Sequence, residues 1–220
     1  VLTQDQEPSL RDRVTAQICE RIIDGDLRPG DRIHERNLSE ELGVSRVPVR
    51  EAILTLAAQG LVAVRPRSGA FVRELTRRDV AELFDVREAL EPAIASAAAR
   101  NRTEEDLARL RALIDDASKA AVCFDAGTGS RSNADFHAEL VRASHHRLLA
   151  TQMEPLTFTI RRLFRITIVG HDDDLLRDHA EQLAAIEEQD AEWAGILARR
   201  HVVRTRARSL ELFADNGSAT

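Results

Sequence analysis

The sequence predicts a mainly α-helical chain in two parts, a small helix-and-hairpin module over residues 1–75 and an all-helical bundle of six helices over 76–220. Three observations predict it. Apolar residues recur at helical spacing along most of the chain, broken near residues 61–73 by two short β-rich runs around a Pro/Gly tip. Aromatic residues are only 4% and Tyr is absent, while Ala, Leu and Arg are abundant, which favours helices over sheets. Charge divides as well: residues 1–75 carry 11 Arg against 12 Asp plus Glu, and residues 76–220 carry 20 basic against 25 acidic residues, most of the net −6.

The first helix spans 9–24, with Leu10, Val14, Ile18, Ile22 and Ile23 on one face. The run from Gly25 to Gly30 ends it, Pro29-Gly30 being a turn pair. A second helix covers about 36–42 with Leu38 and Leu42 inward, and Gly43 stops it. A third follows after a very short turn. Ser45 is placed to cap it through its hydroxyl, and Pro48 falls in the first turn, where a missing N–H costs nothing. Val49, Ala52, Ile53 and Leu56 supply its buried face, while Arg46 and Arg50, four residues apart, share the outward one. Leu61–Val64 and Ala70–Arg73 then read as a hairpin with Arg67 near its tip. Taken alone, the third helix could be an amphipathic helix with two solvated arginines, and the hairpin a plain edge ribbon. In this order they form a winged helix-turn-helix whose third helix suits a DNA major groove. The overall acidity does not argue against that, because residues 44–73 carry five Arg against the single acid Glu51, and phosphate binding requires only a local basic patch.

In the bundle, helices are expected at 77–100, 104–122, 131–144, 147–168, 173–188 and 191–213, the first capped by Thr76. Several polar residues sit where cores are normally apolar. Arg87 interrupts the stripe Val80, Leu83, Phe84, Leu90, Ile94, and a buried arginine needs an anion or several acceptors. Asn133 and His137 are four apart on one face with Leu140 and Ser144. His179 lies among Leu175, Leu176, Leu183 and Ile186, and His201 shares a stripe with Ala194, Leu197 and Leu212. Asp190, an expected N-cap, is 11 residues from both histidines. In an antiparallel hairpin both would stand about 16 Å from the turn, side by side. Each histidine alone reads as a hydrogen-bonded core residue. Together with the Asn133/His137 pair they point to a divalent metal, zinc or nickel by ligand type. His34, His145, His146 and His171 are left outside the set, since loop or helix-end positions account for them.

No Ser/His/Asp set, Gly-rich phosphate loop or spaced carboxylate pair argues for catalysis. No apolar run reaches membrane-spanning length, the stretch Val1–Arg13 has no signal-peptide pattern, and Cys19 and Cys123 are lone thiols. A cytoplasmic protein is expected.

The sequence resembles the GntR family of bacterial transcription regulators, in its FadR-type subfamily with a helical FCD effector domain. The motifs are IIDGDLRPGDRI, LSEELGVSRVPVREAI, GLV and the wing glycine Gly69, then DVREALE, NADFHAEL and the paired His179 and His201. The resemblance implies that Arg36, Ser45, Arg46, Pro48 and Arg50 line the DNA face and that the wing around Gly69 enters the minor groove. Val47 stands where the family often has Thr, which removes a hydroxyl contact. It implies metal ligands at Asn133, His137, His179 and His201, the first usually Asp, and an effector carboxylate near Arg87. Six effector helices, not seven, place the chain nearer the VanR-like branch. The expected function is a dimeric repressor of a pseudo-palindromic operator, controlled by a small organic acid in a metal-containing pocket. A metal-sensing regulator, and a metal-dependent enzyme fused to a DNA-binding module, are the rivals.

Overall fold

The computed structural model describes residues 8–123, 126–167 and 172–215, which form two compact units, Val1–Glu74 and Leu75–Thr220. In the first, α1 (Leu10–Asp24) begins at a reciprocal cap: Ser9 Oγ accepts from the Asp12 amide while the Asp12 carboxylate receives the Ser9 N–H. It ends at Gly25 in the left-handed region (φ 88°), where a side chain would be strained. Its Val14, Ile18, Cys19 and Ile22 pack against α3 (Arg46–Ala58), which buries Val49, Ala52, Ile53 and Leu56. Leu10, expected on this buried face, is the first residue of α1 and is 46% exposed. α2 (Glu35–Glu41) packs on α3 and buries Leu38.

The hairpin is part of a three-stranded antiparallel sheet. β2 (Val62–Arg65) pairs with β3 (Gly69–Val72), and β3 pairs on its other edge with β1 (Arg32–Ile33), giving the order β1-β3-β2. The register sets Val64 opposite Ala70 and Ile33 opposite Ala70 across the other edge. β1 was not expected, since two residues give no alternation to detect.

The second unit is all helical. α4 (Arg77–Asn101) and α10 (Ala191–Asp215), each 25 residues, pack along each other. They come close at Gly195, where an added Cβ would sit 2.6 Å from Ser96 Oγ and 3.3 Å from the Pro92 carbonyl. α5 (Glu104–Val122) packs on α6 (Ala126–Ala143) and on α9 (Asp172–Glu187). The helix expected over 147–168 is one helical course divided at Pro155 into α7 (Arg147–Met153), a 3-10 turn (Glu154–Leu156) and α8 (Thr157–Thr167). Among the described residues the count of six therefore holds for continuous courses and becomes seven α-helices at that break. Proline lacks the N–H that an unbroken α-helix requires there. Val80, Phe84, Ile94, Leu107, Leu110, Phe136, Leu163, Ile186 and Leu197 form the core. Leu212, expected on the stripe of His201, is 45% exposed; the stripe stays inward only as far as Ser209.

Candidate functional site

Two sets of residues need placing, one in each unit. In the first, α3 presents Arg46 and Arg50 outward, and between them Val47 is 65% exposed. Arg50 is not idle: its guanidinium makes a two-pronged contact with Glu35 of α2, Nη2 to Oε2 at 2.9 Å and Nε to Oε1 at 3.2 Å. Arg36 pairs with Glu40 at 2.9 Å one turn on. These exposed pairs are weak and screened by salt, so either arginine can exchange its carboxylate for a phosphate or a base edge. Ser45 occupies the N-cap in extended backbone, but its hydroxyl makes no capping bond. Pro48 is buried, so it shapes the start of α3 from inside and offers nothing to solvent. In the wing, Arg67 adopts a left-handed backbone (φ 62°) at the tip. Gly69 (φ 100°) lies so close under Arg32 that a Cβ would meet its guanidinium at 3.3 Å, and only glycine suits both constraints. Arg65 stacks over Phe71 at 4.9 Å.

In the second unit, α6, α9 and α10 converge on His137, His179 and His201. All three are buried, and one ligand nitrogen from each lies within 4.8 Å of the others. The equal spacing of His179 and His201 from Asp190 does bring their rings together, with centroids 4.9 Å apart. Asp190 Oδ1 accepts from the Trp193 amide and so caps α10 at the turn. Phe136 stacks on His179 at 4.2 Å and fixes its plane.

The tautomers are set from outside the cluster. Asp178 Oδ2 lies 3.2 Å from His201 Nδ1, and Glu91 Oε2 lies 3.4 Å from His137 Nδ1. Nε2 of all three histidines is buried with no hydrogen-bond partner. Three orphaned imidazole nitrogens facing one another are costly unless something electrophilic sits between them. Burial pushes the His179 pKa well below its ordinary value, and the neighbouring histidines and Arg87 push the same way. Burial likewise lowers His201 to about 4, against the opposing pull of Asp178. The His179 and His201 rings are therefore neutral at pH 7, the form that ligates a metal. Carboxylates behind two of them complete the arrangement in which a second shell orients the ligands.

Asn133 is 5% exposed, with both amide atoms unpartnered. It lines a small cavity beside His201, of about 20 Å³, together with Phe164, Thr205, Arg208 and Ser209. Arg87 is 0% exposed and lies over the rings of Phe84 and Phe164. Its charge is met by Glu91 at 2.6 Å, with Nη1 left unpaired. Burial raises the Glu91 pKa, but Arg87 and His137 outweigh it and hold the carboxylate well below its usual range. Arg87 thus reaches the histidines through Glu91, while the cation on the cavity wall is Arg208. Glu91, Asp178 and Arg208 were not picked out in the sequence. A signal existed only for Glu91, four residues after Arg87 on the same face.

Residues 10–72 match the model of the bacterial regulatory proteins of the gntR family, and residues 82–204 match the FCD domain. The chain belongs to the GntR family of regulators. It is 31% identical over 193 residues to the HTH-type transcriptional regulator YdhC of Bacillus subtilis, covering 85% of this chain and 83% of that one. It is 28% identical over 168 residues to the HTH-type transcriptional repressor RspR of Escherichia coli, covering 76% and 74%. Among solved structures, a GntR-type transcriptional regulator from Rhodococcus sp. RHA1 superposes with a TM-score of 0.77 at 27% identity, covering 96% of this chain and 99% of that one. These relatives are transcriptional regulators, not enzymes, and among the described residues no helix is long and apolar enough to cross a membrane.

Proposed function

We propose that this GntR-family regulator is a cytoplasmic repressor that binds a pseudo-palindromic operator as a dimer and releases it when a small organic acid enters the FCD domain. The observation that carries the ligand reading is the trio of buried, unpaired Nε2 atoms on His137, His179 and His201. These three, with the Asn133 carbonyl oxygen, would hold zinc or nickel, both of which suit imidazole and oxygen donors. A bound ion would supply positive charge and an open coordination position for the acid. Asp178 and Glu91 keep His201 and His137 in the tautomer that presents Nε2. Arg87, through its unpaired Nη1, adds a cation on the histidine side for the acid's carboxylate.

On the DNA side, Arg46 and Arg50 are the proposed base contacts. Ser45 and Arg36 flank them, Pro48 sets the helix start, and Arg67 and Gly69 carry the wing toward the minor groove. Such a half-site read twice requires a symmetric operator. The repressor sense is supported by the similarity to RspR. An organic effector is favoured over the ion alone as the signal because the unpaired Asn133 amide and Arg208 Nη1 stand on the cavity wall beside His201. In vitro selection of duplexes by the metal-loaded full chain tests the reading. An enriched inverted repeat, released by an acid that binds the protein, is the expected result; no enriched duplex, or one insensitive to every bound acid, refutes it.

A further inference from the structure

We infer that Val47 selects a thymine in each operator half-site by packing on the 5-methyl group of that base. This rests on the proposal that α3 reads the operator, and it adds which base is chosen and by which residue. Of the large apolar side chains described in the first unit, Val47 is the most exposed, at 65%. An exposed valine at an arbitrary surface position would need no explanation. This one is the second residue of α3, between Arg46 and Arg50, in the turn that a helix-turn-helix sets against base edges. Arg50 stands three residues on, so the two side chains are neighbours on one face. Glu35 holds the Arg50 guanidinium at 2.9 Å, which fixes the cation that flanks Val47.

Valine has no donor and no acceptor, so it pairs with no phosphate and with none of the polar groups on base edges. Set against one of those, it would displace water from a polar atom and leave that atom unpaired. The thymine 5-methyl is the apolar group that the major groove offers, and contact with it takes apolar surface of both partners out of water. In a helix valine keeps one strongly preferred rotamer, so both of its methyls are fixed before DNA arrives. A threonine here would exchange one methyl for a hydroxyl, which serves bases and phosphates of several kinds. Leu54 lies on the same face and is 57% exposed, but it is seven residues on, about 10 Å along the axis and past the N-terminal turns. Exposed Arg50 and Glu51 stand between the two, so they form no continuous apolar patch for a protein partner.

The test is anisotropy on the selected duplex with the zinc-loaded full chain, replacing each thymine of the half-site in turn, in both halves, by deoxyuridine. Uracil keeps every hydrogen-bonding group of thymine and lacks only the methyl. At one position the exchange should weaken binding about tenfold, the order expected for two methyl contacts returned to water. Val47→Ala should lose the distinction between thymine and uracil there, while its affinity for the uracil duplex stays that of wild type, which also reports a folded variant. Leu54→Ala should keep the distinction. A selected half-site without thymine, uracil accepted everywhere, or a penalty that persists in Val47→Ala overturns this inference alone. A penalty abolished by Leu54→Ala moves the methyl contact to Leu54 and overturns it as well. Failure to select any duplex overturns the proposed operator reading and this with it.

Discussion

Asp178 Oδ2 lies 3.2 Å from His201 Nδ1, across the hairpin between α9 and α10. That contact fixes which nitrogen of His201 faces His137 and His179. Asp178 is in turn held by Arg204, which also donates to the Asp174 carbonyl at 2.8 Å. Asp178→Asn keeps the shape but not the charge behind the ring. It should weaken zinc affinity about tenfold to a hundredfold, the range for loss of a second-shell carboxylate. Competition with a chromophoric chelator measures this; equal affinity in the two proteins would remove Asp178 from the account.

The histidines make the metal-free protein sensitive to acid. His201 has a folded-state pKa of about 4 because of burial, below its unfolded value of about 6.5. Between these two values the unfolded chain binds the extra proton, so the stabilisation present above pH 6.5 is progressively lost as pH falls toward 4. From pH 7 to pH 5 this one group should cost about 2 kcal/mol. His179 shifts in the same direction and adds to it. Urea titrations of the chelator-treated protein at both pH values should show the loss, and His201→Gln should flatten it. An equal pH slope in wild type and variant would mean that His201 titrates normally.

Arg46 and Arg50 are exposed on α3, and Arg50 is oriented by Glu35. Arg46→Ala with Arg50→Ala should reduce affinity for the selected duplex about a hundredfold or more, since each base-reading arginine contributes about 1–3 kcal/mol. Zinc content should not change. Fluorescence anisotropy at fixed salt provides the comparison, and retained sequence-specific binding would place the reading surface elsewhere.

At Gly195 α4 and α10 approach closely. In Gly195→Ala the new methyl meets Ser96 Oγ, which already donates to the Ala191 carbonyl at 2.6 Å, and it crowds the Pro92 carbonyl. The expected loss is about 1–3 kcal/mol of stability, the range for overpacking. Denaturant unfolding reports it, and a neutral result would show that the helices can separate freely.

What the sequence made legible is what periodicity and local chemistry encode. The buried face of α3, the hairpin, and the matched heights of His179 and His201 all follow from residue spacing, and the structure has each of them. Spacing says which face a residue takes but not how far along the helix that face is covered, and Leu10 and Leu212, near the ends of α1 and α10, are exposed. It says that Ser45 can stand at a helix start, not that its hydroxyl will bond there. Pairings through space were hidden altogether. Asp178 meets His201 only because α9 and α10 fold back on each other, and Arg208 becomes a wall residue only once α6, α8 and α10 surround the cavity.

The most direct test is operator affinity as a function of acid, measured by anisotropy on the selected duplex with the zinc-loaded full chain. The account predicts that an acid shown by calorimetry to bind will weaken operator affinity severalfold or more, as a coupling of about 1–3 kcal/mol requires. It also predicts that the same acid will leave His179→Ala unaffected. Operator affinity that stays constant while the acid saturates the protein would contradict it.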